Sequence, residues 1–137
     1  RVAIASIIAM KPKVLILDEP CAGLDPKGRN VILDLVKQYQ SMQGNTVIFV
    51  SHSMEDVAKI ADRVLVLKDG KAAMLDTVEN VYSRGRELKE MGLNVPEVTD
   101  IFLKLHDMGI PCKTNIYTVE QAVDEFNRLK MNTEVTV

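Results

Sequence analysis

Residues 14–26, VLILDEPCAGLDP, run an apolar tetrapeptide into two adjacent carboxylates, a proline, a glycine turn and a further aspartate. The unbroken run Val14-Leu15-Ile16-Leu17 has the pattern of a strand buried on both faces in a parallel sheet. Asp18 and Glu19 then fall at the carboxyl end of that strand, where open α/β sheets bind their ligands. Neighbouring side chains of an extended chain point to opposite sides, so adjacent carboxylates can serve two reactants. One can hold a hydrated metal ion while the other faces a different group. Pro20 stops the strand, and Asp25-Pro26 sets a capping carboxylate before a proline at the first helical position.

The segments around this run fit an α/β unit. Apolar residues recur at Val31, Leu35 and Tyr39, with Ile32 and Val36 beside them, which predicts an amphipathic helix from Lys27 to about Met42. Thr46-Val47-Ile48-Phe49-Val50 is rich in β-branched residues and reads as a second buried strand, ending in Ser51-His52. Ser53 with Asp56 caps a short helix through Ala61. Residues 63–68 and 71–75 flank Asp69-Gly70, a strong signal for a two-residue hairpin. Gly23 and Gly28 have the spacing of a phosphate loop, but Arg29-Asn30 stands where Lys-Ser or Lys-Thr is required. An aspartate inside such a loop would also repel phosphate, so these glycines are not one.

Composition narrows the remaining classes. The 137 residues carry 17 basic and 19 acidic side chains and a formal charge of −2, so no electrostatic footprint for nucleic acid is present. The longest apolar stretch, 2–10, is interrupted by Ser6 and is too short to span a bilayer. Cys21 and Cys112 have neither metal-ligand spacing nor the density of a disulfide scaffold, and read as small fillers in a reducing compartment. His106 has no companion ligand and reads as structural. Met42, Met54, Met91 and Met108 read as gap-fillers, and Arg84, Arg86 and Lys89 as a solvated face.

After Asp76 the pattern becomes helical. Val98, Ile101, Phe102 and Leu105 form one apolar face of a helix over 96–108, which Gly109 is placed to stop. Thr118 and Gln121 open a last helix with Ala122, Val123, Phe126 and Leu129 on its apolar side. Such short helices must bury these faces on one another, on the first half, or on a partner.

Residues 14–26 resemble the Walker B motif and D-loop of ATP-binding-cassette (ABC) ATPases, and residues 46–52 resemble the same family's switch strand with its histidine. The resemblance implies that Asp18 helps to hold Mg²⁺ through water and that Glu19 polarises the water attacking the γ-phosphate. It further implies that Asp25 belongs to the loop meeting the opposite subunit in an ATP-sandwich dimer, and that His52 contacts the γ-phosphate. Cys21 stands where the family usually has Thr or Ser. In this family the run RVAIA follows the signature sequence, so Arg1 is expected to lie just downstream of a cut. The phosphate loop, Q-loop and signature would then lie upstream.

Residues 87–99 and 117–123 resemble the C-terminal extension of the ATPases of energy-coupling factor (ECF) transporters, a family that includes the cobalt-import ATP-binding subunits and takes up vitamins and transition-metal ions. Together the resemblances imply an α/β fold: part of a P-loop NTPase parallel sheet with helices over 1–76, then a small α-helical extension over 77–137 that is a possible dimerisation module. The implied parent hydrolyses ATP with Mg²⁺ for an ABC importer, as a peripheral subunit on the cytoplasmic face of the membrane. Its expected partners are a second ATPase subunit and a transmembrane coupling protein, with no nucleic acid. Without the phosphate loop the 137-residue chain is expected to be inactive by itself. An ABC ATPase that energises no transport, and an interaction module without activity, remain alternatives. In such ATPases a Walker A strand lies between the strands corresponding to 46–50 and 63–67. These two are therefore expected to close up and pair, to borrow a strand from another copy, or to flank residues that lie outside the structure.

Overall fold

The computed structural model describes residues 2–42 and 44–134. The chain forms two compact units, Arg1–Ile60 and Ala61–Val137. The compositional division at residue 76 therefore falls inside the second unit, because the hairpin groups with the helices that follow it.

The first unit runs α1 (Val2–Ala9), β1 (Val14–Asp18), α2 (Pro26–Ser41), β2 (Thr46–Val50) and α3 (Met54–Ile60). β1 and β2 pair in parallel, with Val14 opposite Thr46 and Asp18 opposite Val50. The amide of Glu19 donates to the Val50 carbonyl at 2.9 Å, so the ladder extends one step past β1. Leu15 and Leu17 are buried against Ile32, Leu33, Val36, Tyr39 and Ile60, with Ile4 and Ile8 of α1 packed alongside. Truncating Leu15, 2 % exposed, to Ala is worth about 2–5 kcal/mol by the usual cavity cost.

Burial of β1 on both faces does not hold. The pleat sends Val14 and Ile16 to the other side, where they are 54 % and 64 % exposed, beside Ile48 and Val50. The helix over 26–41 also turns differently from the expected stripe. Ile32, Val36 and Tyr39 face the core with Leu33, whereas Val31 is exposed. Asp25 caps this helix with a carboxylate that accepts from the Gly28 amide at 3.1 Å, and Pro26 follows at its first turn.

The second unit opens with β3 (Arg63–Lys68) and β4 (Lys71–Thr77), an antiparallel hairpin. Asp69 and Gly70 have φ of 51° and 73°, the positive values that a tight type I′ turn requires at both central positions. α4 (Val78–Ser83), α5 (Gly85–Glu90), α6 (Glu97–Asp107) and α7 (Val119–Glu134) follow. Among the described residues β2 pairs with β1 in the first unit, and β3 pairs with β4 in the second.

α6 ends as Gly109 predicts. With φ at 86°, its amide donates to the His106 carbonyl at 2.9 Å and the Ile110 amide reaches back to Leu105 at 3.1 Å. At α7 the expected capping box forms, since the Gln121 amide donates to Thr118 Oγ1 and Gln121 Oε1 accepts from the Tyr117 and Thr118 amides. Phe102, Cys112, Ile116 and Ala122 make the local core, with Leu105 and Leu129 packed against it, so these side chains are not an open face. The apolar residues left outward on α6 and α7 are Ile101, Val119, Val123, Phe126 and Met131.

Candidate active site

The carboxyl ends of β1 and β2 bring Glu19 and His52 together. Glu19 Oε1 lies 2.9 Å from the His52 backbone nitrogen, which donates to it, and 2.8 Å from His52 Nδ1. One carboxylate oxygen therefore holds both the backbone and the ring of the histidine. The ring itself is 85 % exposed, and with Nδ1 engaged its other nitrogen is the one left to meet a ligand. The hydrogen bond to His52 is the largest influence holding the Glu19 carboxyl below its ordinary range, so it stays ionised at neutral pH.

The backbone of Glu19 is strained. Its φ is 46°, in the left-handed region, and Pro20 further restricts the residue before it. The conformation is fixed from both ends, by the ladder bond from its amide and by the Ala22 amide donating to its carbonyl at 3.1 Å. Strain of this kind collects where a side chain must be aimed rather than merely accommodated.

Asp18 occupies the exposed face at the end of β1, opposite Val50. Asp25 stands at the start of α2, where its carboxylate serves as the cap described above. Among the described residues no group of three His, Cys, Asp or Glu gathers as a metal cage. The donor set nevertheless suits Mg²⁺, which keeps most of its waters and takes one or two carboxylates plus phosphate oxygens. Asp18 offers such an oxygen in the open, next to an ionised Glu19. Cys21 is buried and its thiol is pushed up by burial, which fits a filler rather than a nucleophile.

No protein-family model matches the chain. It is 42 % identical over 134 residues to the energy-coupling factor transporter ATP-binding protein EcfA2 of Caldanaerobacter subterraneus subsp. tengcongensis, covering 98 % of this chain and 47 % of that protein. It is 50 % identical over 122 residues to EcfA2 of Clostridium perfringens, covering 89 % of this chain and 43 % of that protein. The solved structure of cbiO1 from Clostridium perfringens, described as part of the ABC transporter complex cbiONQ, superposes with a TM-score of 0.56 at 35 % identity, covering 79 % of this chain and 39 % of that one. The chain belongs to the ABC ATPase family. It spans about half the length of the curated relatives it matches.

In this ABC ATPase chain one further cluster adjoins the site. Arg29 Nε donates to both carboxylate oxygens of Asp56, at 2.7 and 2.9 Å, and its terminal nitrogen donates to Ser53 Oγ. Asp56 is 1 % exposed. Sequence reasoning found the Ser53 cap but not this pair, because its members lie on different helices, 27 residues apart. The available signal is an acidic residue in the first turn of an apolar helix, which needs a cation once that helix is buried.

Proposed function

We propose that this chain is part of the ATP-hydrolysing subunit of an ABC importer of the ECF type, serving metal-ion or vitamin uptake. The Glu19–His52 pair carries the reading: a carboxylate aimed from a strained turn at the open end of a parallel sheet, locked to a histidine in the turn that follows the neighbouring strand. Glu19 would orient and polarise the water that attacks the γ-phosphate, and His52 would hold Glu19 and reach the γ-phosphate with its free nitrogen. Asp18 would hold Mg²⁺ through water, and the ion would neutralise phosphate charge. Asp25, at the start of α2, would face the second ATPase subunit. Phosphoryl transfer depends on positioning and charge more than covalent chemistry, which suits a site built from so few groups. The names of the relatives support ATP binding and a transporter setting. These 137 residues contain no phosphate loop and no signature sequence, so alone they would be inactive. Among the described residues no helix is long and apolar enough to cross a membrane, and attachment on the cytoplasmic face would come through a transmembrane coupling protein.

Glu19→Gln in the full-length protein tests the reading. The amide keeps the shape but cannot take a proton, so turnover should fall by about 100-fold or more while ATP binding stays within a few-fold. Unchanged steady-state hydrolysis would remove Glu19 from this role.

The exposed stripe Val119, Val123 and Phe126 on α7 supports a contact with a second ATPase subunit, since these residues share one helix face. Val123→Asp should lower the dimer fraction in light scattering while the circular dichroism of the monomer is retained. An unchanged dimer would count against that face.

A further inference from the structure

We propose that Arg29 and Asp56 are positioning residues for hydrolysis, their ion pair fixing the turn that carries His52 and so holding the histidine on Glu19. The inference rests on the reading of Glu19 and His52 as the hydrolytic pair, and adds the means by which α2 controls it.

His52 has no element of its own to hold it, because it lies between the end of β2 and the start of α3. Its neighbours supply the anchorage. Ser53 Oγ receives the Arg29 guanidinium and, at 3.3 Å, the Asp56 amide, while the Ser53 amide donates to Ser51 Oγ at 3.1 Å. The residues on both sides of His52 are thereby tied to each other, and Ser53 is tied to α2. With Asp56 buried and the Arg29 side chain 39 % exposed, the ion pair is a weak source of net stability, because desolvation of the carboxylate offsets most of the attraction. Its specific product here is geometry: one Nε–H shared between both oxygens of a buried carboxylate, and a further bond from the same guanidinium to the cap beside His52. The hydrogen bond to Asp56 also raises the guanidinium pKa, so the cation is permanent.

Arg29 lies one helical turn beyond Asp25, its amide donating to the Asp25 carbonyl at 2.9 Å. Any displacement of the α2 start moves the guanidinium, and through Ser53 the His52 turn. The chain thus links the loop at Asp25 to the histidine that grips Glu19.

The test uses Arg29→Ala and Asp56→Asn in the full-length protein, with two readouts. Misplacing the pair should lower kcat by about tenfold or more and leave KM for ATP within about threefold. Amide hydrogen exchange should accelerate at His52 and remain unchanged at β1, whose ladder the pair does not touch. Asp56→Glu and Arg29→Lys, which keep the charges, should recover part of both signals. If either truncation fails to fold, Ser53→Ala takes its place, with the same split at about threefold in kcat. Folded variants with unchanged kcat and unchanged His52 exchange would overturn the proposal, as would exchange that rises equally at β1. Should Glu19→Gln leave turnover intact, the hydrolytic reading fails instead, and His52 exchange alone decides whether the pair positions the turn.

Discussion

Glu125 shows how much one buried carboxylate can organise. It is 2 % exposed, and it accepts from the Lys113 amide at 2.8 Å and from Arg128 at 2.6 and 2.9 Å. Arg128 also donates to the Pro111 carbonyl at 3.0 Å, so the pair pins the segment between α6 and α7 onto α7. The Arg128 guanidinium, with help from the Lys113 amide, lowers the Glu125 pKa from 4.5 to about 2. Between those values the unfolded chain binds a proton that the native state refuses, so stability is fully present above pH 4.5 and is lost as pH falls toward 2. The loss should be on the order of 2–3 kcal/mol, read as a falling denaturant midpoint of the second unit over that window. Glu125→Gln should lower the midpoint at neutral pH and flatten its dependence on acid; an equally steep acid limb in the variant would assign the effect elsewhere.

Helix ends and turns were legible wherever their hydrogen bonds close within a few residues. Asp25 before Pro26, Asp69-Gly70, Thr118 with Gln121 and Gly109 all formed as read, because each is satisfied by neighbours in sequence. Gly109→Ala tests one of them. Nothing lies within 4 Å of the position a Cβ would take, so the cost is backbone strain at φ 86° and not a clash. About 1–2 kcal/mol should be lost, and Gly109→Asn should lose less, since Asn tolerates the left-handed region. Equal melting temperatures for Ala and Gly would show that the turn relaxes. Faces were less legible than ends. Val14-Leu15-Ile16-Leu17 is apolar on both sides, so no alternation marks which side the helices cover, and the core stripe of α2 falls on Ile32, Val36 and Tyr39 because α2 turns Val31 outward. The Arg29–Asp56 pair was invisible for a different reason, since it exists only once α2 lies on α3.

Taken entire, the chain leaves a large apolar area open in each unit. Val14, Ile16, Ile48 and Val50 are each about half exposed or more on the first sheet, and Leu65, Leu67 and Leu75 are similarly open on the hairpin. Scattered apolar residues are normal at a surface, but cross-strand clusters of β-branched and leucine side chains mark a face that another surface covers. Among the described residues the outer edge of β2 has no strand partner, and it lies beside the first cluster as a ready template for association. The 137-residue chain alone is therefore expected to self-associate, and to show no saturable low-micromolar binding of Mg-ATP. Replacing Ile16 and Ile48 by Lys and Glu should suppress the association, because both side chains already point away from the core and the opposite charges sit on directly paired positions. Light scattering across a concentration series decides the matter. A wild-type mass that stays monomeric at every concentration would mean that these faces are tolerated by water as they stand, and saturable nucleotide binding by the chain alone would return the phosphate site to these residues.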